Sequence, residues 1–167
     1  MQWRLVAGSL PTGMKLSTDG VISGTPTSVQ DFRFTVSITD TSRPVQTARR
    51  ELILHVVPPL LLAWKRPARV SGNRIDGSVQ VSNGTEDDFD LTFIVLAVAE
   101  NGRAVAIGYQ RFPLKTGTTE FEIPFGDTLP KGGYVVHVDV VAEVAPKDAI
   151  YRARLQTKEK LAIVVGP

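Results

Sequence analysis

The side chains best suited to proton transfer near neutral pH are the two histidines, His55 and His137. Each falls on the polar phase of an alternating run, "RELILHVV" and "YVVHVDVVAEV", with no serine elbow or acid arranged around it as a hydrolytic triad needs. Asp139 shares the phase of His137, so the two can meet along one strand face, but a neighbour two residues away does not make a catalytic dyad. The residues read as solvent-facing strand positions, and no catalytic residue is assigned. A second cluster, "EDDFD", gathers Glu86, Asp87, Asp88 and Asp90, oxygen donors of the type that hard cations such as calcium prefer. Its spacing lacks the glycine-punctuated loop of an EF-hand, so an acidic surface turn is the better account, with calcium as the minor alternative. Asp40 stands at a strand end before "TSRP", where an aspartate caps a turn.

The cations gather at Arg49-Arg50, at Lys65-Arg66-Arg69, and at Arg152, Arg154, Lys158 and Lys160. Acidic residues interleave with them and no aromatic ladder accompanies them, so they read as solvated faces and edge protection rather than a nucleic-acid platform. The formal net charge of +2 agrees, although the sequence pI is near 9.0. There is no cysteine, which removes disulfides, thiolate metal sites and cysteine nucleophiles together. No cofactor is implied. Trp3 and Trp64 are the two tryptophans, expected in core or interdomain packing rather than on a sugar-stacking surface.

The elements that position these residues are strands. In "FRFTVSITD" Phe32, Phe34, Val36 and Ile38 share one face, and the same period of two runs through "RELILHVV", "FDLTFIVLAV" and "YVVHVDVVAEV". Weaker strands are expected at 3–7, 21–23, 61–68, 75–82, 104–112, 120–124, 150–156 and 161–165, separated by Gly, Pro, Asn or Asp turns, and no stretch holds a convincing helical period. Many short strands at this spacing predict all-β antiparallel sandwiches. "VVPPLLLAW" marks the boundary, because Pro58 and Pro59 cannot both sit in a ladder and favour an extended connection. The expected domains are 1–59 and 60–167. No apolar run approaches the roughly 20 residues of a spanning helix, and Met1–Gly8 has no signal-peptide pattern, so any export signal is expected outside this sequence.

"LPTGMKLSTDGVISGTP", residues 10–26, concentrates the turn-formers. Leu10-Pro11-Thr12-Gly13 suits a type I turn, Asp19-Gly20 a tight hairpin, and Gly24-Thr25-Pro26 a strand end. A phosphate cradle would need a Gly-Lys-Ser/Thr ending and a following helix, and neither is present. Leu10, Pro11, Gly13 and Leu16, then Gly20, Ile22, Gly24, Thr25 and Pro26, then Phe34, Val36 and Asp40 stand in the order typical of one family. Residues 3–57 resemble the immunoglobulin (cadherin-like) repeats of bacterial surface and secreted proteins. The resemblance implies two further strands before Trp3, so the first module is expected to lack its N-terminal strands, as part of a longer polypeptide or with strand addition from a neighbour. Residues 60–167 resemble bacterial immunoglobulin-like and fibronectin-III-like adhesion domains in pattern.

The expected architecture is two tandem immunoglobulin-like β-sandwiches, and the expected function a non-catalytic adhesion, spacer or presentation module of a larger bacterial extracellular or cell-surface protein. A carbohydrate- or protein-binding module, or an accessory domain of a secreted hydrolase, is the alternative. The expected partners are other domains of the same polypeptide, protein or polysaccharide at the cell surface, and a second copy through strand pairing of the first module. Neither nucleic acid nor membrane insertion is expected.

Overall fold

A computed structural model describes residues 1–165. The chain divides into two compact units, Met1–Pro58 and Pro59–Pro167. The strands are β1 (Gln2–Gly8), β2 (Met14–Leu16), β3 (Ile22–Gly24), β4 (Asp31–Thr39) and β5 (Thr47–His55) in the first unit. The second holds β6 (Leu60–Ser71), β7 (Arg74–Asn83), β8 (Phe89–Ala99), β9 (Ala104–Leu114), β10 (Phe121–Thr128), β11 (Gly132–Val144), β12 (Ala149–Gln156) and β13 (Leu161–Ile163), with one 3-10 turn at Ala145–Lys147. The chain is all-β, as the alternation predicts, and every strand pairing is antiparallel.

In the first unit β1, β4 and β5 form a sheet in that order, and β2 and β3 form a separate hairpin. Phe34 and Val36 of the central strand are buried, while Trp3, Leu5, Leu52 and Leu54 are only half-covered. The turn-rich signature fastens the hairpin to the sheet. The Trp3 amide donates to the Thr18 carbonyl (2.9 Å), and Gly20, at φ 89°, lies so close to the Trp3 indole that a Cβ there would come within 2.6 Å of the ring. Two turn assignments need correcting. The Met14 amide donates to the Pro11 carbonyl (3.0 Å) with Gly13 at φ 90°, so the turn spans Pro11–Met14 with glycine at its third position, a type II geometry. The β2–β3 hairpin closes between Leu16 and Ile22, a five-residue connection in which Gly20, and not Asp19, takes the positive φ. Gly13 and Gly24 are needed together, because a Cβ on either would strike the backbone of the opposing segment.

In the second unit a three-stranded sheet, β10-β7-β6, and a larger one, β12-β11-β8-β9 with β13 also on β11, enclose one core. Its inner rows are Ile75, Val79 and Val81 on β7, Phe89, Leu91, Phe93, Val95 and Ala97 on β8, and Val136, Val138, Val140 and Ala142 on β11, all at 1% exposure or less. Trp64 packs against this core, 6.2 Å from Phe125 between ring centroids. The Tyr134 hydroxyl, where β11 begins, donates to the Pro130 carbonyl (2.9 Å), pinning the preceding turn in the manner of an immunoglobulin-type tyrosine corner. Prolines mark the periphery: Pro67 on β6, Pro113 on β9 and Pro124 on β10 lie on edge strands, and the central β7, β8 and β11 contain none. The remaining edge is interrupted between β12 and β13, where the Thr157 hydroxyl accepts the Val136 amide (3.1 Å).

Candidate interaction surfaces

The acidic and basic side chains lie outside the buried cores, and many of them pair with one another. On the outer face of the large sheet Asp139 accepts from both Arg152 and Arg154, the latter at 3.2 Å. His137, two residues away, is not among its hydrogen-bond partners, so the two arginines on β12 take the aspartate that the strand phase offered to the histidine. The Arg152 guanidinium holds the Asp139 carboxyl below the usual carboxylate range, with Arg154 adding to the effect. His55, at the end of β5, meets Asp31 on β4 through Nδ1 (2.7 Å), and both are exposed.

The acidic run is divided among separate cations. Asp87 pairs with Lys147 (2.6 Å), Asp88 with Lys115 (2.7 Å) and the Thr116 amide (2.9 Å), and Asp90 with Arg111 (2.6 Å), while Glu86 is exposed. Hydrogen bonds from Lys115 and Thr116 lower the Asp88 pKa, and that from Arg111 lowers Asp90. Among the described residues no group of three or more His, Cys, Asp or Glu side chains is gathered to hold a metal ion. Asp40 closes a local turn, accepting from the Ser42 hydroxyl (2.7 Å) and amide (3.2 Å). Within the basic clusters Arg66 pairs with Glu122 (3.5 Å), Arg69 with Asp76 (3.2 Å) and Lys160 with Glu100 (2.9 Å).

Sequence reading missed Asn83, which is 2% exposed at the end of β7. Its Nδ2 donates to the Asp87 (2.8 Å) and Leu114 (3.2 Å) carbonyls, and its Oδ1 accepts from the Thr85 amide (3.0 Å) and hydroxyl (2.8 Å). One buried amide thus ties the acidic loop to the end of β9. The available signal was "SNGT", an asparagine beside the turn that follows an alternating strand.

Two surfaces are open to a partner. The first is the outer face of the large sheet. From Phe93 onward β8 is apolar on both faces, and of its outward Ile94, Leu96 and Val98 the last lies directly opposite Val135 of β11. A strand apolar on both faces is the pattern of one covered twice, yet these residues are only half-buried. They run beside a shallow hollow of about 620 Å³ bordered by His137, Asp139, Arg154 and Gln156, with Tyr109, 64% exposed, opposite Ile94. The second surface is the free side of β5 in the first unit. Among the described residues no helix is long and apolar enough to cross a membrane.

No curated protein matches this chain. Residues 1–54 match a family model described as "Putative Ig domain", a span that holds the β2–β3 signature, its glycines and the β1-β4-β5 sheet. That segment of the chain is therefore similar to an immunoglobulin-like repeat of this family.

Proposed function

We propose that the chain is a non-catalytic adhesion, spacer or presentation module of a larger bacterial extracellular protein. The observation that carries this reading is the use made of its ionisable groups. Asp88, Asp90, Glu122 and Asp139 are all held ionised by surface hydrogen bonds and cations. A general acid working near neutral pH needs the opposite shift. The charges therefore serve strand pairing and solubility, and what the module offers a partner is sheet surface. Turnover and binding assays on one preparation test this, using polysaccharide, peptide and ester substrates beside cell-wall fractions and immobilised surface proteins. Turnover that disappears in Asp139→Asn or His137→Ala would sink the reading.

A binding role is the second reading, favoured by the aliphatic row Ile94, Leu96 and Val98. An apolar strip rimmed by charge suits a protein ligand, whereas sugar recognition would draw on several exposed aromatic rings. Leu96→Lys is expected to abolish retention on a protein partner while leaving unfolding unchanged. Retention on polysaccharide that depends on Tyr109 would point to sugar instead.

A further inference from the structure

Among the described residues, the free side of β5 differs from the other edges of the three larger sheets. At the two ends of the β4–β5 ladder the Asp40 amide donates to the Gln46 carbonyl (2.9 Å) and the Val56 amide to the Gln30 carbonyl (3.1 Å), and the register between them is unbroken. Even-numbered residues of β5 therefore bond to β4, and the amides and carbonyls of Thr47, Arg49, Glu51, Ile53 and His55 point away from the sheet. None of these five finds a backbone partner among the described residues. By contrast β1 carries an irregularity between Leu5 and Ala7, and Thr18 already occupies its outward Trp3 amide. The edges of the second unit carry prolines or, at β12–β13, an interruption. β5 is nine residues long, without proline or bulge.

Its sequence also selects an occupant. "ELILH", residues 51–55, is self-complementary when reversed about Ile53. A two-fold axis there sets Glu51 opposite His55, Leu52 opposite Leu54 and Ile53 opposite Ile53, and all residues that must exchange hydrogen bonds in this register are the outward, odd-numbered ones. Centring at 49, 50 or 51 instead brings Arg49, Arg50 or Glu51 against its own copy, which is destabilising, and centring at 52 sets Arg49 against His55. Ile53, 40% exposed, gains a neighbour on the outer face, and the half-covered Leu52 and Leu54 gain neighbours on the inner one. We propose that two copies of the chain associate by antiparallel pairing of β5 with β5 about Ile53, making one continuous six-stranded sheet. This is an isologous, closed contact, so it ends at the dimer.

Sedimentation equilibrium of the 167-residue chain over about 1–500 µM tests it. The expected result is a concentration-dependent dimer that Ile53→Lys weakens at least about tenfold, by setting like charges at the axis. Ile53→Pro is expected to do the same, since the amide it removes makes no bond within the unit. Thr47→Lys, outside the paired segment, leaves the constant unchanged. Should Ile53→Pro disturb folding by circular dichroism, Ile53→Lys carries the test alone. With no native cysteine, Ile53→Cys treated with a short bismaleimide is expected to cross-link to dimer, and Thr47→Cys not. A wild-type chain monomeric throughout, a dimer indifferent to Ile53→Lys, or equal cross-linking from both positions overturns the proposal. So does a monomer whose β5 amides become protected only when an unrelated extended peptide is added, which assigns the edge to a foreign strand.

Discussion

At the scale of single residues, the charges of the second unit act through their ionised forms. Folded-state pKa values of Asp88, Asp90, Glu122 and Asp139 lie below their ordinary ones. The stability they contribute is therefore fully present above the unfolded carboxylate range, about pH 4, and is lost as pH falls through the folded values. Urea unfolding near neutrality and at progressively lower pH is expected to show this acid limb, and Asp139→Asn to flatten it. The buried Asn83 is a sharper case. Asn83→Ala removes the side-chain donor to the Leu114 carbonyl and one of the two to the Asp87 carbonyl, which keeps the Thr85 hydroxyl, and is expected to cost about 1–3 kcal/mol, read as a lower urea midpoint at unchanged slope. Gly20→Ala forces a side chain into positive φ and against Trp3, so it is expected to destabilise the first unit by about 2 kcal/mol or more, read from the loss of native Trp3 fluorescence. The type and phase of Asp139 and His137 were legible in the sequence, but their partners were not. Which arginine reaches Asp139 depends on the β11–β12 register, and that is set by a connection of only a few residues through Ala145–Lys147.

At the scale of elements, alternation located nearly all the strands, because a period of two survives in any sheet with one dry face. What it misplaced were short elements and turns. β2 is three residues long and too brief to show a period, and the type II turn before it was read one residue early because Pro11 suits more than one turn position. β8 shows the limit of the method. Its inner row was read correctly, while the apolar outer row was visible in "FDLTFIVLAV" but acquired meaning only when the sheet left it half-open. Phe93→Ala, in the centre of that strand, is expected to cost about 3–5 kcal/mol in the second unit, whereas Tyr134→Phe, which removes only the bond to Pro130, should cost about 1 kcal/mol. Both are measured by denaturant unfolding of the full chain.

At the scale of the whole molecule, the two units differ in how much core they own. The second buries an extended apolar cluster, and the first buries few apolar residues beyond Phe34 and Val36. Calorimetry is expected to resolve two transitions, with the first unit unfolding at the lower temperature, because apolar burial is the main term opposing conformational entropy. Phe93→Ala should then lower only the upper transition. By itself the sequence determined the all-β class, the faces of the long strands and the glycine and proline signature of the first unit. These follow from local rules, the two-residue period and the few residue types that tolerate special backbone angles. Only the tertiary structure decided which carboxylate meets which cation, that Gly20 seats Trp3, that β8 keeps an apolar face half-open and that β5 keeps an edge free. Each of these is a pairing between segments distant along the chain, fixed by strand order and register rather than by any neighbouring residue.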